Sequence, residues 1–187
     1  MYQHIIDNIL SYAQTAPRFS EMMEYLLHGI QKYCGFESVA FAQKQAVGHH
    51  PLYHYSGSMD QFLILNPEEA PDTEQSSTER TLFEAHRELL KILSEQPAKN
   101  FAPETTGFQT GHSFWSNHLS RELRQVSQAE SVGLFAIRYS GITLGTLLLW
   151  DPREKLFTPE LLDTLQKLAN RAAPLIFSSQ YLHPDSE

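Results

Sequence analysis

The chain has 187 residues, 41% of them hydrophobic, and its 14 Lys plus Arg stand against 22 Asp plus Glu for a net charge of -8. A chain of this length and apolar content buries enough surface to fold as one domain without a disulfide or structural metal, which excludes disorder of the chain as a whole. The negative balance repels phosphate backbones and anionic lipid headgroups, so neither nucleic acid nor a membrane is an expected partner, and the single cysteine excludes an internal disulfide and a four-cysteine zinc site.

Tyr2, Ile5, Ile6, Ile9, Leu10 and Tyr12 recur at three-and-four spacing, which predicts an amphipathic helix from Tyr2 to about Gln14. Pro17 suits the first turn of a second helix, whose apolar face is Phe19, Met22, Met23, Leu26, Leu27, Ile30 and Tyr33 and which Gly35 ends. Ser38 to Gln43 reads as a strand, and His50 to Ser56, with Tyr53 and Tyr55 on one side, as a second strand paired to it. Residues 66–80 carry prolines, acids and serines and read as a loop; within it Glu68, Glu69, Asp72 and Glu74 are solvated carboxylates and not catalytic ones. Ser76 and Glu79 form a capping box ahead of a third helix running to about Gln96, and Leu119, Leu123 and Val126 suggest a short fourth.

Two apolar runs, Ser131 to Tyr139 and Ile142 to Trp150, flank Ser140-Gly141, which has the length and residue type of a tight hairpin turn. Thr158 caps a long last helix with Pro159 at its first position, Phe157 is placed to pack on Leu162, and Pro174 is expected to kink that helix near Asn170. This order of elements is an α+β pattern in which both faces of the sheet are covered. No run of residues approaches the ~20 apolar positions that span a bilayer, and the start of the chain lacks a secretory pattern, so the expected location is cytoplasmic.

Residues 131–182, with Gly141 and Gly145 in the hairpin and Phe157 before a capped, leucine-rich helix, resemble the C-terminal half of a GAF domain, and residues 17–57 resemble it more loosely. The resemblance implies a GAF-like, PAS-related fold: an antiparallel sheet with a helical bundle on one face and short helices and loops over a ligand cavity on the other. It implies one domain over residues 1–187, with an N-terminal helix in 1–16, the core and long C-terminal helix in 17–182, and a tail in 183–187. It further implies a regulatory role in a cytoplasmic signalling protein, with an unknown small molecule as ligand and an output domain or signalling protein as partner. The alternative is a scaffold that binds no ligand and serves dimerisation. The cyclic-nucleotide signature of the family is absent, since Leu161 stands where its acidic pair begins, and Cys34 lies far from a bilin-attachment position. No cofactor is implied. Free methionine sulfoxide reductases are the family's redox branch and resolve a sulfenic acid with a second cysteine, which this chain lacks; no enzymatic activity is therefore expected.

The expected ligand-binding residues are Phe41, Tyr53, Phe114, Trp115, His118 and Phe135, aromatics of the kind that line small-molecule pockets, with His118 as polar anchor. With an unbroken hairpin, Phe135 shares a face with Ile137, Leu144 and Trp150, while Ala136 and Gly145 share the other; the small residues are expected to meet the helices and Phe135 the cavity. His50 and His54 fall on one face of a strand but about 13 Å apart, too far to share a metal, so with His49 they read as surface histidines. Against a role as haem or metal ligands, His112 and His118 read as solvated or satisfied histidines. Gly111-His112-Ser113 fails as a nucleophile elbow because Trp115 occupies the place of its second glycine. Cys34 reads as a small buried hydrophobe. The terminal helices, through residues 2–14 and through Leu175, Ile176, Phe177, Tyr181 and Leu182, carry surplus apolar surface and are expected to pair two copies into a homodimer.

Overall fold

The computed structural model describes residues 2–44, 52–57, 62–65, 106–109, 113–116, 130–153 and 157–182. Helices α1 (Tyr2–Gln14) and α2 (Phe19–Cys34) are followed by strands β1 (Ser38–Gln43), β2 (Leu52–Ser56), β3 (Phe62–Leu65), β4 (Thr106–Gln109), β5 (Ser113–Ser116), β6 (Ser131–Tyr139) and β7 (Ile142–Asp151), and α3 (Pro159–Leu182) closes the order. The strands form one antiparallel sheet in the order β3-β2-β1-β7-β6-β5-β4. The expected strand over 50–56 begins at Leu52, and β3 and β4 are strands that the sequence pattern did not announce. The loop over 66–80 and the expected third and fourth helices lie outside the described residues.

The three described helices pack on one another, and α2 and α3 pack against one face of the sheet. α2 supplies the centre of that layer, burying Phe19, Met22, Met23, Leu26, Leu27 and Ile30, each worth about 1.5–3 kcal/mol when fully removed from water. Ile6, Ile9, Leu10 and Ala13 place the apolar stripe of α1 against α2 and α3, and Asp7 meets Arg171 of α3 at 2.7 Å. α3 begins with the Thr158 hydroxyl accepting the Leu161 N–H at 3.1 Å, and the helix continues through Pro174 to Leu182.

In the β6–β7 hairpin Ser140 and Gly141 both have positive φ, 50° and 79°, as a tight two-residue turn between twisted strands requires. Beyond the turn the register shifts: Arg138 pairs with Thr143 but Ile137 with Gly145, leaving Leu144 as an extra residue. This bulge corrects the expected face assignment. Gly145 moves onto the face of Phe135 and Ile137, whereas Trp150 pairs with Val132 and moves off it. The helices lie on the Phe135 side, where Phe135, Ile137, Leu147, Leu149, Val39 and Phe41 join the core formed with α1, α2 and α3. Two glycines make room for aromatic rings there: a Cβ on Gly145 would stand 2.6 Å from the Phe41 ring, and one on Gly133 would stand 2.6 Å from Phe157. Phe157 also packs on Phe36, with ring centroids 5.4 Å apart.

His54 belongs to this same layer and is not a surface residue, being only 1% exposed. Its ring sits edge-on to Phe19 of α2 and near Phe41 and Phe62, and its Nε2 lies 3.0 Å from Gln43 Oε1. The even spacing that places positions 50 and 54 on one strand face is compatible with either environment; tertiary packing put that face inward.

Polar side chains bolt the last turn of α2 to three strand ends. Gln31 donates to the carbonyls of Glu37 and Gly57 at 2.7 and 2.8 Å and accepts from Ser56 Oγ at 2.6 Å. The carboxylate of Asp151, 1% exposed, accepts from the Glu37 N–H at 2.9 Å, from the Arg153 N–H at 2.9 Å, and from the Arg153 guanidinium at 2.8 and 3.0 Å. Arg153 also donates to the carbonyl of Gly35, the left-handed residue that caps α2. Burial by itself raises the pKa of the Asp151 carboxyl, but the hydrogen bonds from the Arg153 side chain and backbone and from the Glu37 N–H outweigh it and hold the group below its ordinary value.

A carboxylate with a depressed folded-state pKa contributes stability in full above its ordinary value of 3.8 and loses that contribution as pH falls through the lowered one. Asp151→Asn is expected to destabilise the domain by about 1–3 kcal/mol at neutral pH, because several charge-assisted bonds are lost at a buried site. The measurement is thermal unfolding of both proteins from about pH 7 down to about pH 2: the wild-type advantage is expected to shrink in the acid range. Melting temperatures that stay parallel throughout would show that ionised Asp151 adds nothing.

Candidate functional site

With the described helices on one face, the opposite face of the sheet is the candidate site. Strand register arranges its positions in three rows. Tyr53, Ala42, Thr146 and Ala136 form the first. The second is Tyr55, Ala40, Leu148, Leu134 and Phe114, and the third is Ser38, Trp150, Val132 and Ser116. Alternation along each strand is what sorts these residues from the core, since side chains at i and i+2 share a face.

The rows differ in bulk and accessibility. Ala42, Thr146 and Ala136 are small and half-buried, and Leu134 and Tyr55 are half-buried beside them. Ala40, Val132, Leu148 and Trp150 are buried outright. The face is therefore partly accessible along the row of Ala42, Thr146 and Ala136 and closed off toward Trp150. Tyr55 stacks on Trp150 with ring centroids 5.7 Å apart and 16° between planes, and its hydroxyl lies 3.3 Å from Ser38 Oγ. Among the described side chains of the three rows all are neutral, and the polar groups are the hydroxyls of Ser38, Tyr55 and Thr146 together with the Trp150 indole. Arg138, exposed at the end of β6, donates instead to the Gly141 carbonyl at 3.3 Å.

The residues named from the sequence divide between the two faces. Phe41 and Phe135 are buried in the helix-side core, at 0% and 2% exposure. The register places Tyr53 and Phe114 in rows of the candidate face, and Trp115 opposite Gly133 in a helix-side row. His118 and His112 lie outside the described residues. The row of small residues, Ala42, Thr146 and Ala136, was not among the expected lining; strand alternation would have found it had the bulge at Leu144 been legible.

Cys34, at the end of α2, packs against the core edge, and burial pushes its thiol pKa up to about 11. Among the described residues no three His, Cys, Asp or Glu side chains group closely enough to hold a metal ion, and no helix is long and apolar enough to cross a membrane.

No protein-family model matches the sequence, and no curated protein is significantly similar to it. Solved structures are similar over nearly the whole chain. The GAF domain of a phosphoenolpyruvate-protein phosphotransferase from Acinetobacter is 11% identical and superimposes with a TM-score of 0.60 over 97% of this chain and 96% of that one. A segment of a methyl-accepting chemotaxis protein is 14% identical, with a TM-score of 0.54 over 93% and 98% of the two chains. The free methionine-R-sulfoxide reductase of Neisseria meningitidis, solved with its substrate, is 11% identical, with a TM-score of 0.59 over 97% and 91%. These superpositions show that this chain has the fold of a GAF domain.

Proposed function

We propose that the chain is a regulatory, sensory domain of a cytoplasmic signal-transduction protein, binding a small molecule on the sheet face opposite its helices and passing the signal on through α1 and α3. The observation that carries this reading is the asymmetry of the sheet. All described helices lie on one face, yet the other is also apolar, with Val132 and Leu148 buried and a half-buried row of small residues, Ala42, Thr146 and Ala136, beside the row of Tyr55 and Leu134. Apolar concavities with few convergent polar groups are the usual setting for small ligands. Of the residues named from the sequence, Tyr53 and Phe114 line the site in this proposal, joined by Ala42, Leu134, Ala136 and Thr146. Trp115 and His118 are its further wall and anchor, and Phe41 and Phe135 support it from the far side of the sheet.

A thermal-shift screen of nucleotides, amino acids, oxo acids and tetrapyrroles is expected to yield a stabilising compound. At 100 times its Kd a ligand adds about 2.7 kcal/mol, a rise of about 5–10 °C for a domain of this size. Ala136→Phe, which puts a large ring into the row of small residues, is expected to abolish the rise while the variant remains folded. If no compound stabilises the chain and stability instead depends on protein concentration, the reading of a ligand-free dimerisation scaffold replaces this one.

Catalysis is not part of the proposal. A thiol with a pKa near 11 is thiolate in only about one molecule in ten thousand at pH 7, and the thiolate is the nucleophile that sulfoxide reduction needs. Wild-type protein and Cys34→Ser are expected to be equally inert toward free methionine sulfoxide; turnover that depends on Cys34 would make the chain an enzyme.

The proposal includes a homodimer. It is built by both terminal helices: α1 buries most of its apolar stripe in its own bundle but leaves Tyr12 55% exposed, and at the end of α3 Tyr181 is 66% exposed and continues a row of rings from Tyr139 through Phe177. Sedimentation at micromolar concentration is expected to give a dimer that Tyr181→Glu dissociates; a monomer at every concentration would remove pairing from the proposal.

A further inference from the structure

We propose that the ring of Tyr55 is a movable contact through which the face opposite the helices acts on the last turn of α2. Tyr55 is the half-buried member of its stack with buried Trp150, and it folds over Gly57, where an added Cβ would stand 2.7 Å from the phenol oxygen. The residues that hold this ring are chain neighbours of those that hold α2. Ser56 and Gly57 follow Tyr55 and bind Gln31; Asp151 follows Trp150 and binds the Glu37 N–H and Arg153; Ser38, beside the Tyr55 hydroxyl, follows Glu37. Side chains alternate across a strand, so one backbone step carries a displacement from one face to the other. When the Tyr55 ring is pushed, the ends of β1, β2 and β7 move with it, and the polar tie passes that movement to Gln31 and Gly35. α2 packs on both α1 and α3, so its last turn is the point of entry to the helical layer.

This inference rests on the reading that a ligand occupies the face opposite the helices, but its test needs no ligand. Gly57→Ala in the full chain displaces the Tyr55 ring without removing it. Amide hydrogen exchange is then compared between the last turn of α2 with its exit, residues 34–37, and the middle of α3, residues 165–173. Gly57→Ala is expected to accelerate exchange of the Gly35 and Glu37 amides, bonded to Gln31 and Asp151, by about tenfold, with α3 unchanged. In a Tyr55→Leu background, where there is no ring to push, Gly57→Ala is expected to add nothing. Unchanged exchange at 34–37, acceleration spread equally into α3, or an equal effect in the Tyr55→Leu background would each overturn the proposal. A ligand screen that finds nothing leaves this result standing, and a failure here leaves the ligand screen unaffected.

Discussion

A single extra residue in β7 governs how the domain is built. Leu144 has no partner in β6, so every residue of β7 beyond it faces opposite to where an unbroken hairpin would put it. Gly145, Leu147 and Leu149 thereby join Phe135 and Ile137 beneath the helices, and Thr146, Leu148 and Trp150 take the other side. Because β7 is central, paired to both β1 and β6, the shift decides the composition of both faces at once. Large aliphatic and aromatic residues meet α2 and α3, and the small residues of the Ala42 row are left for the candidate site.

The helix-side face can hold large rings because glycine makes room for them. Phe41 lies over Gly145 and Phe157 over Gly133, so each aromatic covers backbone that a side chain would otherwise occupy. Interiors pack at crystal-like density, and any Cβ at these positions would displace a ring or, at Gly145, collide with the Ala42 carbonyl. The polar tie around Gln31, Asp151 and Arg153 plays the complementary part at the edge of this core. There α2 ends and three strands end, and their backbone groups find partners in side chains where the ladder no longer supplies them.

Structural likeness at 11% identity, where no protein-family model matches the sequence, has a physical basis. The fold asks for amphipathic helices of suitable length, strands that bury both faces, a tight turn and a capped last helix. Many residue combinations meet those demands, and cores accept extensive substitution when volume and pattern are kept. Ligand recognition has no such latitude: it depends on individual side chains and not on the fold, and in the proposed reading those side chains lie on the face opposite the described helices.

The sequence by itself determined the local elements wherever period and punctuation agree. The three-and-four spacing set α1 and α2, Gly35 set the stop of α2, Ser140-Gly141 set the turn, and Thr158 with Pro159 set the start of α3; each is a short-range preference that residues a few positions apart express without the rest of the chain. β3 and β4, four residues each, are too short for an alternation to declare itself, and only pairing at the sheet edges makes them strands. Tertiary structure alone decided which way the faces point. The bulge at Leu144 brings Gly145 under Phe41 of a neighbouring strand, His54 is buried with Phe19 packed edge-on against it, and the expected cavity residues Phe41 and Phe135 became core. In each case the deciding contact lies with a residue distant in sequence, and a periodic pattern carries no information about what lies across the sheet.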